Sequence, residues 1–303
     1  MDRKKFLELV KKEENFRVTE IPKKKFLSKY ERSRGGIKDV QGPYTIFILQ
    51  KRGLTTEQAV RIVSSRLRVP TSEIGFAGLK DKFALTEQYI SVKGYHEGFR
   101  EENISLRPAG KSSRPIAVGD LEGNAFWILI GKKTVLKKIF SMPNYFGFQR
   151  FGSRGENAKI GLLLLKREYA AAIEMINNSC ETRFPFLKSV PKKRLKFFVQ
   201  SYQSQMFNLA VRSMKSAGRK KMIRVPGYNM KASPEISGLM KKDSIKEKDF
   251  EFPDLRFRCD GYERPASVEV KNLSIKTTEH GTEISFALPP GSYASSALEA
   301  MGL

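Results

Sequence analysis

The sequence predicts a mixed α/β (α+β) chain in two parts, and three observations predict it. Short apolar strands with few helices run up to Pro143. From there to Met214 three stretches carry apolar residues at helical spacing. Strands then return towards the C-terminal end. Such segments bury their apolar faces by layering helix on sheet, with the helical block as a second domain.

Each element has its own signal. Phe6, Leu7 and Val10 lie on one side of a short amphipathic helix, and Phe16 to Glu20 reads as a strand that Pro22 ends. The basic stretch Lys23 to Lys38, with Arg34-Gly35-Gly36, reads as a mobile loop. Tyr44 to Gln50 is a buried strand by its β-branched and aromatic content. Thr55 and Gln58 form a capping-box pattern ahead of a helix bearing Ala59, Ile62, Val63 and Leu67. Ile74 to Phe76 leads into a turn at Ala77 to Lys82, followed by strands at Gln88 to Val92, Ile104 to Arg107 and Ala125 to Ile130. Helices are expected at Glu156 to Leu165, Tyr169 to Asn177 and Arg194 to Met214. Beyond them come strands at Lys221 to Val225 and Leu255 to Cys259, with a charged loop at Lys241 to Asp249 between. Strands at Ser267 to Val270 and Glu283 to Leu288 precede a short last helix, with Ser292 as its cap.

Composition narrows the function. Lys and Arg number 56 against 32 for Asp and Glu, a formal charge of +24 on 303 residues. A field of that sign concentrates polyanions. Nucleic acid comes first, because each neutralised phosphate releases condensed counterions. An anionic membrane comes second. Apolar runs such as Phe126 to Ile130 are far too short to span a bilayer, and no signal core opens the chain. The expectation is a soluble, cytoplasmic protein without a membrane partner. Cys180 and Cys259 have no CxxC partner, and the two histidines, His96 and His280, lie near no cysteine or carboxylate at ligand spacing. That argues against a disulfide framework, a zinc site and Ser-His-Asp chemistry. With no GxGxxG and no P-loop, no metal and no nucleotide cofactor is expected. Chemistry must then rest on carboxylate, tyrosine, lysine or arginine.

Asp81, between Lys80 and Lys82, is the carboxylate that stands out. Gly78 and the flanking short strands put it on a tight turn that a ligand can approach closely. Two readings fit: a nucleophile or general base, or a turn aspartate bonding its own backbone.

The segment Gly75 to Gln88, GFAGLKDKFALTEQ, resembles the signature of the TruD family of tRNA pseudouridine synthases, whose turn aspartate is catalytic and maps onto Asp81. Four further segments are similar, in the family's order: FRVTE ending at Glu20, GNAF at Gly123 to Phe126, NYFGFQRFG at Asn144 to Gly152, and LPPGSYAS at Leu288 to Ser295. The resemblance implies a pseudouridine synthase catalytic domain at 1–148 and 263–303 with an inserted, more helical TRUD-type domain at 149–262. It implies isomerisation of a uridine in tRNA, usually at the thirteenth nucleotide, without a cofactor. Asp81 would be catalytic. Phe126 would stack on the flipped base and Asn124 would bond its edge. Glu20 and Lys80 would support the site, and Arg150 would contact RNA or brace the catalytic turn. Each has a plainer alternative: a core phenylalanine, a turn asparagine, a strand-end glutamate, a packed arginine. Two departures stand out: Phe83 replaces the family's usual polar or basic residue, and the central block is short. The basic runs at Lys23 to Lys25, Lys192 to Arg194 and Arg219 to Lys221 are candidate phosphate contacts. A non-catalytic basic RNA-binding protein is the alternative that charge alone supports.

Overall fold

The structure, a computed structural model, describes residues 3–23, 42–152, 154–179, 182–214 and 221–303. The expected loop after Lys23, Cys180, and Arg219 and Lys220 lie outside the described residues. The chain forms two compact units. One comprises Lys5–Phe140 and Val270–Gly291, and the other Met1–Lys4, Ser141–Glu269 and Ser292–Leu303.

The first is a sheet unit. Its strands are β1 (Phe16–Pro22), β2 (Tyr44–Lys51), β3 (Ile74–Phe76), β4 (Leu85–Lys93), β5 (Phe99–Arg100), β6 (Ile104–Ser112) and β7 (Leu121–Ile130). After the other unit come β14 (Lys271–Thr278) and β15 (Gly281–Leu288). The sheet order is β14-β15-β7-β1-β4-β2-β6-β5, with β3 paired to β4. β1 and β4 are parallel, pairing Val18 with Thr86, and the other pairings are antiparallel.

Side chains alternate across this sheet. Phe47, Leu49, Ile90, Val92 and Leu106 form one core with Ala59, Val60 and Val63 of helix α2 (Thr56–Leu67). Ile46 points the other way and packs with Ala77, Ile116 and Leu121. The capping box closes as expected: Gln58 N donates to Thr55 Oγ1 at 3.1 Å, and Thr55 N donates to Gln58 Oε1 at 2.9 Å. Helix α1 (Arg3–Val10) buries Phe6 and Val10, and the Phe6 ring meets Phe16 edge-on at 5.2 Å.

The second unit is mainly helical: α3 (Glu156–Leu165), α4 (Tyr169–Ser179), α5 (Lys192–Ser213), α6 (Pro234–Asp243) and α7 (Ala294–Ala300). The stripe predicted on α5 builds its core: Leu195, Phe198, Val199, Tyr202, Met206 and Ala210 are buried, and Leu209 is exposed. Short pairs flank it: β8 (Ser141–Pro143) with β13 (Ser267–Glu269), β9 (Met222–Val225) with β12 (Tyr262–Pro265), and β10 (Glu251–Phe252) with β11 (Phe257–Arg258). No helix of the described residues is long and apolar enough to cross a membrane.

Four local expectations need correction. The charged loop at Lys241 to Asp249 begins as the end of α6, which buries Ile236 and Met240 at i, i+4 spacing and leaves its lysines outside. The strand at Leu255 to Cys259 shrinks to Phe257–Arg258. β14 was hidden because none of its side chains is fully buried, which leaves no apolar face to read. Ser292 does not cap the last helix: Tyr293 holds that position, and Ser292 Oγ donates to Asn144 Oδ1 at 3.0 Å.

Candidate active site

Asp81 lies on the turn between β3 and β4, whose ends are held by buried Ala77 and Ala84. Three elements fix the main chain of that turn. Lys80 N donates to Thr56 Oγ1, on the first residue of α2, at 2.9 Å. The Thr56 hydroxyl donates onward to Gln88 Oε1 at 3.2 Å, and Gln88 Nε2 returns to Gly78 O at 3.1 Å. From β2, Lys51 Nζ donates to Asp81 O at 2.9 Å and to Leu54 O at 2.7 Å. Asp81 as a residue is exposed, with protein crowding one side of its carboxylate.

Its neighbour turns inward. Lys80 Nζ meets Glu20 Oε2 at 2.5 Å, with 3% and 1% of the two side chains exposed. Glu20 Oε1 accepts from Tyr89 N at 3.2 Å, so both carboxylate oxygens are used. In the sheet register Glu20 lies opposite Asn124, and Asn124 opposite Leu288. Gly123 permits that approach, since a Cβ there would sit 2.2 Å from Leu288 O. Asn124 Oδ1 is buried and has no hydrogen-bond partner among the described residues. An acceptor left so is costly, on the order of 1–3 kcal/mol, unless a ligand completes it.

Phe126 sits two residues on, 6% exposed, stacked on Phe286 at 5.3 Å and on Phe16 at 6.3 Å. Its ring is thus part of the sheet core. Arg150 belongs to the helical unit. Its Nε donates to Ser204 Oγ at 3.1 Å and its Nη2 to Gln200 Oε1 at 3.4 Å, while its guanidinium lies 5.0 Å from the Phe197 ring. Glu20, Lys80, Asp81, Asn124 and Phe126 share the sheet unit, and all but Asp81 are buried or half-buried.

Lys51 is the residue that motif reading missed. It ends an apolar strand, and the two-residue period of Phe47 and Leu49 carries it onto the core face. That spacing was its only signal. Desolvation pushes its pKa down to about 8, with Asp81 opposing the shift and Lys80 adding to it. Asp81 moves the other way: crowding by protein on its inner side raises its pKa, and the Lys51 ammonium partly offsets this. The pair therefore couples a carboxylate held above its usual range to a lysine held below its own.

In the helical unit, Arg264 ties two of the motif segments together. Its Nη2 donates to Asn144 O at 3.0 Å and to Asn144 Oδ1 at 2.8 Å, the same oxygen that Ser292 meets, and its guanidinium covers the Phe146 ring at 4.0 Å. Among the described residues, no three His, Cys, Asp or Glu side chains gather as a metal would require.

Fold and site define an α+β protein in which a carboxylate turn is pinned against a mixed sheet and a largely helical unit interrupts that sheet. The family model described as tRNA pseudouridine synthase D (TruD) matches residues 6–185 and 213–300, and the chain belongs to that family. A tRNA pseudouridine synthase D of Aquifex aeolicus is 38% identical over 175 residues, covering 52% of this chain and 43% of the relative. Its counterpart in Sulfurimonas denitrificans is 35% identical over 184 residues, covering 56% and 46%. The chain spans about half the length of the curated relatives it matches. A crystal structure from Methanosarcina mazei, described as a tRNA pseudouridine synthase D, superposes with a TM-score of 0.62 at 21% identity over 97% of this chain and 92% of that one. At that identity the match speaks for the fold.

Proposed function

We propose that the chain is a tRNA pseudouridine synthase that isomerises a uridine of tRNA, at the thirteenth nucleotide, with Asp81 as the reacting group. The observation that carries this reading is the Asp81 turn: an exposed aspartate whose main chain is held from β2, α2 and β4. Pre-positioning of this kind lowers the barrier, because the geometry needs no reorganisation during reaction.

The reaction breaks the bond between uracil N1 and ribose C1′, rotates the base and joins C5 to C1′. The proton leaves C5 and N1 gains one, so nothing is oxidised and no cofactor is consumed. A carboxylate supplies what this needs, either as a nucleophile or as a base towards a ribose proton. The target uridine must first leave its stack. Asn124 Oδ1, buried without a partner, is suited to accept from the N3–H of the uracil edge. The Glu20–Lys80 pair sets the floor of the turn, and Phe126, buried in its stack with Phe16 and Phe286, braces the strand that carries Asn124 rather than offering the base an open ring face. Arg150 acts within the helical unit as an RNA contact. The reading assigns 1–148 and 263–303 to catalysis and 149–262 to an insertion, and it places the protein in the cytoplasm with its tRNA.

Unmodified tRNA transcripts incubated with the protein and mapped for pseudouridine test it. Wild type converts one uridine, and Asp81→Asn lowers the rate on the order of 10⁴-fold. A protein that binds tRNA but leaves every uridine unchanged would instead be the basic RNA-binding protein that the +24 charge alone describes.

A further inference from the structure

The helical unit holds a second place suited to a nucleotide. A cavity of about 460 Å³ lies between the segment from Tyr145 to Gly155, α5 and α7. That size falls within the roughly 300–1,000 Å³ of small-molecule sites. Tyr145, Phe148 and Phe151 line it with flat apolar surface, and exposed Arg154, Arg212 and Glu299 line it with charge, two cations to one carboxylate. Neither guanidinium is paired with a carboxylate among the described residues.

One polar group inside points to a ligand. Ser295 is 3% exposed and lines the cavity, and its hydroxyl has no hydrogen-bond partner among the described residues. A buried hydroxyl in that state is rare and calls for an explanation such as a bound polar group. Asn208 differs, because its amide is spent on Phe146, accepting from N and donating to O at 2.9 Å each. Gly147 keeps the hydroxyl open, since a Cβ there would come within 2.8 Å of Ser295 Oγ.

Aromatic walls, free guanidinium groups and one buried hydroxyl match the parts of a nucleotide. Rings stack on an unstacked base, guanidinium pairs with phosphate, and the hydroxyl meets a sugar or base-edge group. We infer that this cavity binds a nucleoside 5′-monophosphate unit, and that in bound RNA it holds one unstacked nucleotide by residues of the helical unit alone. The RNA half of the inference rests on the proposed function.

UMP and AMP titrated into the full chain, followed by calorimetry or ligand-observed NMR, test the site directly. Millimolar or tighter binding is expected. Arg212→Glu, a surface change compatible with folding, weakens it about tenfold or more, as loss of a charge-assisted bond does. Ser295→Ala weakens it less but measurably. Binding that is absent, or unmoved by both substitutions, overturns the inference. With an unmodified tRNA transcript, Arg212→Glu lowers the salt slope of binding by about one. An unchanged slope beside weakened UMP binding overturns the RNA half and leaves a free nucleotide as ligand. None of these titrations needs turnover. A chain that binds UMP through Arg212 but forms no pseudouridine therefore sinks the proposed reaction and spares the cavity. The opposite result does the reverse.

Discussion

Lys51 and Asp81 show how one residue pair carries opposing demands. The ammonium of Lys51 is charged below pH about 8 in the fold but up to about 10.5 in an open chain. Between those values the unfolded chain binds more protons, so stability rises with pH across that window. The difference, about 2.5 pH units, corresponds to about 3 kcal/mol of burial penalty at neutral pH. Against it stand the bonds to Asp81 O and Leu54 O, each leaving a carbonyl unpaired at roughly 1–3 kcal/mol if lost. The two nearly cancel. Lys51→Met should thus change neutral-pH stability by no more than about 2 kcal/mol while abolishing the rise between pH 8 and 10, as urea melts at several pH values would show. Turnover should respond more strongly. In wild type the rate should fall above pH about 8 as the counter-charge to Asp81 disappears, and Lys51→Met should lack that limb at a lower overall rate. Survival of the limb in the variant would remove Lys51 from the mechanism.

At the scale of elements, the Glu20–Lys80 pair fastens β1 to the turn before β4. Both side chains are almost fully buried, so removing one partner strands a charge in the interior. Glu20→Gln should cost about 3–5 kcal/mol, whereas exchanging both for Met recovers most of the stability. Thermal melts of the single and double variants decide this. A double variant that is stable but inactive would show that the pair serves the site rather than the fold. The elements themselves were largely legible in the sequence. The capping box at Thr55, the apolar strand from Tyr44 and the stripe on α5 each carried a local signal. α6 was not legible, because lysines on its outer face disguised the Ile236–Met240 spacing as a charged loop. At the site, Asp81 and Glu20 were marked by motif. Lys51 and Thr56 were invisible, and Gln88 stood in the signature without a role, because their use depends on which strand lies beside which.

The whole molecule carries +24 charge, and its RNA affinity should be governed by released counterions. If six or more phosphates are contacted, raising salt from about 50 to 200 mM should weaken tRNA binding by roughly 10³-fold or more. Asp81→Asn should keep the same slope, since catalysis and charge are separate properties here. A binding constant that ignores salt would contradict the electrostatic reading of the composition. From the sequence, charge points to a polyanionic partner. It did not tell the path of the sheet, which joins segments far apart in the chain.

That path has a consequence for synthesis. β7 pairs on one side with β1, close behind it, but on the other with β15, from Thr282–Ile130 to Leu288–Asn124. While the residues between are being made, the flank of β7 awaiting β15 has neither its hydrogen-bond partner nor the Phe286 and Ile284 side chains that cover Phe126 and Ile128. An open apolar strand edge is a template for association with other chains. A chain halted at Glu269 should therefore aggregate where the full chain does not, measurable by light scattering during in-vitro translation. The later arrival of one hairpin, β14 with β15, makes the synthesis of that hairpin the step that seals the sheet.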